Sequence, residues 1–221
     1  MSHRYFSKLC RVLSVRGHVV AFDLPGFGGT AKPGTRLSVE RYAHVIGRAL
    51  DALGIGDCVV VGQSMGAQFA VELARMRPDI VSRVVVIGPV VERARRTVVQ
   101  QSAALARDTL AEPPSVNAIV FTDYLRCGPR WYLKELRPML GYAIEERVDD
   151  LAQPFLVLRG DKDPISSEGW CRELADRAPL SSFAAVPGHH LVQQTAPDRV
   201  AHVIEMFLSA ALPAAPAALP R

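Results

Sequence analysis

Cysteine is scarce and scattered in this sequence. Cys10, Cys58, Cys127 and Cys171 are the only four, and no two form a C-x-x-C pair. That spacing argues against a disulfide framework or a structural zinc site and points to a reducing compartment. Lysine is nearly absent (Lys8, Lys32, Lys134 and Lys162), so arginine carries almost all of a net charge of only +4. The one tight basic cluster, Arg93, Arg95 and Arg96, has no aromatic residues interleaved with it. It reads as a solvated helix face, and no nucleic-acid partner is expected. No apolar run reaches the length of a membrane span. The opening Met1-Ser2-His3-Arg4-Tyr5-Phe6 lacks the apolar stretch of a secretory signal. A soluble cytoplasmic protein is therefore expected. What is abundant is apolar residue, 49% over 221 residues, enough for one domain or one domain with an insert.

Apolar spacing places a helix over 4–15, where Phe6, Leu9, Val12 and Leu13 share a face. A buried strand comes next at 18–22, then the Gly/Pro-rich loop Asp23-Leu24-Pro25-Gly26-Phe27-Gly28-Gly29-Thr30. Ser38 caps a helix through Leu50, and strands are predicted at 58–62, 82–87, 154–158 and 182–186. Helices are predicted at 66–77, at 169–177 and, with Pro197 near its start, through Leu208. Residues 92–150 carry helical and loop patterns without a core strand, broken at Pro113-Pro114 and Gly128-Pro129. Strands alternating with helices imply an α/β fold with a doubly wound, mostly parallel sheet. The expected organisation is a core of 1–90 and 151–212, a helical cap inserted at 91–150, and a disordered Ala/Pro-rich tail at 213–221.

The most chemically pointed segment is Gly62-Gln63-Ser64-Met65-Gly66, between the apolar run Cys58–Val61 and a helical pattern. A strand, a Gly-x-Ser-x-Gly turn and a helix make a nucleophile elbow, with the serine hydroxyl at the tip. Gly62 and Gly66 read as small because strand and helix backbones pass closely there. The Met65 N–H, at the positive end of the helix, suits a developing oxyanion. A serine needs a base to take its proton, and the base needs an acid to orient it. His190, in the late loop Pro187-Gly188-His189-His190, is the candidate base, with His189 its competitor. Asp163, in Gly160-Asp161-Lys162-Asp163-Pro164, is the candidate acid, with Asp161 the rival. Both loops come directly after strands, where such sheets collect their functional groups.

With the order Ser64, Asp163, His190, the chain resembles the α/β-hydrolase fold superfamily, in its esterase, lipase and C–C hydrolase-like group. Four segments carry the resemblance: Val20–Gly28 as the D-x-P-G-x-G loop, Gly62–Gly66 as the elbow, Gly160–Asp163 as the acid loop, and Gly188-His189-His190 as the histidine loop. Pro197, seven residues after His190, favours His190 over His189. The resemblance implies a serine hydrolase acting through an acyl-enzyme on an ester, thioester, lactone or diketone-like C–C bond. No metal or organic cofactor is expected, and the partner is a small-molecule acyl substrate, with a homodimer as the assembly to consider. Phe121, Tyr124, Trp131, Tyr132, Met139 and Leu140 of the cap are candidates to line the substrate pocket, and Arg126 or Arg130 to hold a substrate carboxylate.

The resemblance also implies an earlier strand, lying between 18–22 and 58–62, whose His-Gly loop supplies a second oxyanion N–H. Here Met1–Phe6 resembles the segment immediately after that loop. The expectation is a start codon assigned too late, with a natural truncation as the alternative, and the fold lacking its first strands as given. The backbone of Met1 or Ser2 is the substitute donor to examine. A second reading is a catalytically impaired binding protein of the same fold.

Overall fold

The computed structural model describes residues 2–93 and 97–210. Arg95, Arg96, Met1, the tail at 213–221 and the side chain of Tyr132 lie outside the described residues.

Among the described residues, four strands form one parallel sheet in the order β1 (Cys58–Gln63), β2 (Val81–Ile87), β3 (Phe155–Gly160), β4 (Ser181–Val186). Their carboxyl ends align: Gln63 pairs with Ile87, Ile87 with Leu158, and Gly160 with Val186. Side chains alternate across a strand, so two apolar faces arise from one run of valines and leucines. Val84, Val86, Phe155 and Val157 face one way, against α2 (Val39–Ala52), α3 (Met65–Met76) and α8 (Glu168–Arg177). Val85, Ile87, Leu156 and Leu158 face the other, against Leu9 of α1 (Ser7–Leu13) and Val200 and Ile204 of α10 (Pro197–Ser209). Burying each such side chain contributes roughly 1.5–3 kcal/mol against leaving it in water. The sheet is therefore covered on both sides.

Local signals set the ends of the helices. Ser38 Oγ accepts the Arg41 N–H at 3.3 Å, starting α2. Pro197 opens α10 at the first helical position, where its missing N–H costs nothing. Between β2 and β3 the chain is helical, with α4 (Val98–Ala111), α5 (Pro114–Cys127), α6 (Pro129–Gly141) and the short α7 (Ile144–Arg147). Pro114 and Pro129 open α5 and α6. A short α9 (Val192–Thr195) comes after the histidine loop, and a 3₁₀ turn at His3–Phe6 leads into α1. Among the described residues, no helix is long and apolar enough to cross a membrane.

The predicted strand at 18–22 is a correction: residues 18–22 have no strand assignment. A cavity of about 840 Å³ separates Val19–Phe22 from the outer edge of β1. It is walled by Leu9 and Ile204 on one side and by Leu50 and Leu73 on the other. Both segments line this cavity, and the described sheet pairs β1 with β2 alone. The predicted burial is corrected as well: His18, Val20 and Ala21 are exposed, and Phe22 alone of the segment packs against the main core.

Candidate active site

The elbow is built by backbone constraint. Ser64 is the one non-glycine residue with positive φ among the described residues, at φ 55°, ψ −122°. Its N–H is held by Ile87 O at 2.9 Å, and the Ser64 carbonyl accepts the Ala67 N–H at 3.0 Å. A non-glycine residue in this region is strained, and the surrounding bonds keep it there. Gly62 is required on steric grounds. A Cβ there would overlap the Gly66 carbonyl and lie 2.8 Å from Ala67 N. Gly66 differs from the sequence-based reading, since a Cβ on it meets nothing within 4 Å. Gly62→Ala is thus expected to lower stability by about 1–3 kcal/mol, whereas Gly66→Ala is neutral or stabilising. Thermal denaturation of the two variants measures the contrast.

Met65 heads α3, so its N–H belongs to the first turn, where no carbonyl four residues back accepts it. Ser2, the substitute oxyanion donor, is committed elsewhere. Its backbone N–H donates to Asp123 Oδ2 at 3.0 Å, and its hydroxyl donates to the same oxygen.

Asp163 and His190 meet. They are buried, and His190 Nδ1 lies 2.8 Å from Asp163 Oδ2. Burial alone would raise the Asp163 carboxyl. The His190 charge, the bond to its ring and the N–H groups of Ser166 and Ile165 outweigh burial and hold it below the ordinary carboxylate value. An ionised Asp163 makes the imidazole Nδ1–H the donor, leaving Nε2 as the ring's basic atom. Burial alone would also depress His190. The charges of Asp163, Asp108 and Glu112 and the Asp163 bond reverse that and lift it above its ordinary value.

The competitors take other places. Asp161 is exposed, and its Oδ1 accepts the Gly188 N–H at 2.9 Å, tying the acid loop to the histidine loop. His189 is half-buried, with its carbonyl against Gly160. Ser64 and the Asp163–His190 pair share the carboxyl edge of the sheet, and Gln63 Nε2 donates to His190 O at 3.4 Å. The described hydrogen bonds include none between the Ser64 hydroxyl and His190. Such contacts are commonly long without substrate and tighten when it binds.

Two supporting residues were missed in the sequence. Gly88, at the end of β2 with φ 53°, lies under the pair, and a Cβ there would sit 2.9 Å from His190 Nδ1 and 3.0 Å from Asp163 Oδ2. Arg159 is buried at the end of β3, and its guanidinium donates to the carbonyls of Ser166, Asp161 and Asp163 at 2.9, 3.2 and 3.1 Å. The signal for Arg159 was a charge closing an otherwise apolar strand directly before the acid loop.

The predicted pocket residues separate. Met139 packs with Val90, Val91, Leu136 and Ile165, and Met65 and Leu140 border that cluster, beside both the elbow and the acid loop. Trp131 joins the main core, its ring over Gly26 of the Asp23–Thr30 loop. Tyr124 is half-buried on α5. Phe121 is 65% exposed. The buried stripe of α5 runs through Val116, Asp123 and Cys127, and helical periodicity turns Phe121 away from it. Arg126 and Arg130 are exposed.

A model of the family described as alpha/beta hydrolase fold matches residues 1–123, more than half of the chain. The chain belongs to that family. As an alpha/beta hydrolase fold protein it is a hydrolase. It is similar to a poly(3-hydroxyalkanoate) depolymerase of Ectopseudomonas oleovorans, 29% identical over 212 residues, covering 86% of this chain and 74% of that protein. It is also similar to an (E)-2-((N-methylformamido)methylene)succinate hydrolase of Acinetobacter baylyi, 25% identical over 224 residues, covering 92% of this chain and 82% of that protein. In fold it resembles a hydrolase from Oleispira antarctica, with a TM-score of 0.82 at 15% identity, covering 95% of this chain and 88% of that one.

Proposed function

We propose that this hydrolase is a serine enzyme acting on a small or medium acyl substrate: a carboxylic ester, thioester, lactone or diketone C–C bond. The observation that carries the reading is the buried Asp163–His190 pair at 2.8 Å on the sheet edge that also presents the strained Ser64. Ser64 Oγ attacks the carbonyl while His190 Nε2 takes its proton. The Met65 N–H donates to the oxyanion. His190 returns the proton to the leaving group, an acyl-Ser64 forms, and water activated by His190 releases the acid. Asp163 fixes the tautomer and offsets the imidazolium charge. Residues 91–150 act as the cap. Met139 borders the acyl site, and Trp131 and Tyr124 shape its outer wall. The names of the relatives, a polyester depolymerase and an amide-bearing succinate hydrolase, support acyl chemistry without fixing one substrate.

The impaired-protein reading has one observation in its favour, the engagement of the Ser2 N–H by Asp123. One missing oxyanion donor costs about 10²–10³ in rate. A fluorophosphonate probe separates the two. Labelling of the native chain, with turnover of p-nitrophenyl esters, supports the enzyme; a well-folded sample that does neither sinks it.

The base must be neutral to accept the serine proton, and its charged form is favoured beyond the ordinary value of 6.5. Activity is therefore expected to rise with pH through a limb centred above 6.5. A pH–kcat/KM profile on p-nitrophenyl acetate checks it. A limb clearly below that value would overturn the raised pKa of His190, and its absence from the profile would count against His190 as the base.

A further inference from the structure

The histidine loop is fastened from the inserted helices as well as from the sheet. Asp108, in the last turn of α4, is 3% exposed, and its Oδ1 accepts the His190 backbone N–H at 3.1 Å. Glu112, which ends α4, is 5% exposed, and its Oε1 accepts the Leu191 N–H at 2.9 Å. Four residues apart, the two fall on one face of the helix and grip two consecutive peptide groups. Leu191 then packs with Val116 of α5, closing the same junction.

Two buried carboxylates are a costly way to receive two N–H groups, because each loses its hydration and repels the other. Burial first, and then the neighbouring negative charges, push both carboxyls up, with the His190 charge and the donated N–H groups opposing. A neutral serine or asparagine would accept the same bonds without that cost. Only a carboxylate also brings negative charge to the imidazole.

We propose that Asp108 and Glu112 are positioning residues for the base: the end of α4 fixes the His190–Leu191 backbone and adds two carboxylates to the one at Asp163. The inserted helices then hold the base in place as well as covering the site. This rests on His190 acting as the general base. The groups around His190 are Asp163, with Arg159 on the carbonyls of its loop; Asp161 on Gly188; His189 beside it; and Asp108 and Glu112 from α4.

The test uses the full chain with Asp108→Asn, Glu112→Gln, the double amide variant and Asp108→Ala. The amides keep an acceptor oxygen and remove the charge. The His190 titration is followed by the NMR shift of its imidazole Cε1, assigned against His190→Gln, and kcat and KM are measured with p-nitrophenyl acetate. Each single amide variant should lower the His190 pKa by about 0.5–1 unit, with a larger shift in the double variant. Where turnover is measurable, the acid limb should move with it. Asp108→Ala should lower kcat about tenfold or more, with KM nearly unchanged. An unmoved His190 titration in the folded double amide variant overturns the proposal, as does wild-type kcat in Asp108→Ala. The NMR titration needs no turnover, so a wild-type chain that fails to hydrolyse esters would overturn the serine-hydrolase reading and leave the positioning test standing.

Discussion

Ser64→Ala is expected to abolish ester hydrolysis and fluorophosphonate labelling together, while the chain keeps its fold. Removing the nucleophile of a triad lowers kcat by a factor of about 10⁶ where it has been measured, and the remaining base and acid recover none of it. The fold should survive because the change deletes one half-buried oxygen that makes no described hydrogen bond, and leaves the backbone bonds of Ser64 to Ile87 and Ala67 intact. Alanine keeps the Cβ, so the strain at φ 55° is neither added nor relieved. Thermal melting and turnover on the same preparation separate loss of chemistry from loss of structure. Retention of labelling in the folded Ser64→Ala variant would place the nucleophile elsewhere.

The second large effect is expected at Asp163. Asp163→Asn keeps the volume and an oxygen that accepts from Ile165 and Ser166, now at 2.7 and 3.0 Å. It replaces the oxygen facing His190 Nδ1 with an amide group that donates. The imidazole then carries its proton on the wrong nitrogen, and the imidazolium loses its counter-charge. The expected fall in kcat is about 10⁴. Asp161→Asn retains an acceptor for the Gly188 N–H and should change kcat far less, about threefold or less, because an exposed bond of this kind contributes little. Equal losses in the two variants would overturn the assignment. The stability effect has its own sign. The Asp163 pKa is depressed in the folded state, so its ionised form stabilises the fold above the ordinary carboxylate value, and that contribution is lost as pH falls. Asp163→Asn should flatten this part of the stability–pH curve.

Most elements were legible because their signals are local. Val84–Ile87 and Phe155–Leu158 are apolar along their length and are buried on both faces. Ser38, Pro114, Pro129 and Pro197 mark helix starts through the chemistry of their own side chains and rings. Val19–Phe22 carries the same local signal as these strands and forms none, because a ladder depends on a neighbour at the right distance and the nearest edge lies across a cavity. Apolar alternation cannot report that. Phe121 shows a limit of another kind: composition nominates an aromatic residue, and only the helical register with Val116 and Cys127 shows that it lies off the buried stripe of α5.

The site divides along the same line. Ser64 was fixed by five consecutive residues between a strand and a helix, since the elbow is a local conformation. The chain order of Ser64, Asp163 and His190 was visible too. The sequence already favoured Asp163 over Asp161 and, through Pro197, His190 over His189; what each of these neighbours touches is visible only in space. Parallel register brings the ends of β3 and β4 together, and at that edge Asp163 reaches the imidazole while Asp161 reaches a peptide N–H. Gly88, Arg159, Asp108 and Glu112 carry no motif at all. They matter through what the folded chain sets beside them: an imidazole over a missing Cβ, three carbonyls around one guanidinium, and two peptide N–H groups brought to the end of α4 from about eighty residues away. By itself the sequence determined the helices, the core strands and the turn at Ser64, because each depends on residues adjacent in the chain. What surrounds His190 beyond Asp163 was decided only by the tertiary structure, because hydrogen bonding and charge act over a few ångströms of space, whatever the separation in sequence.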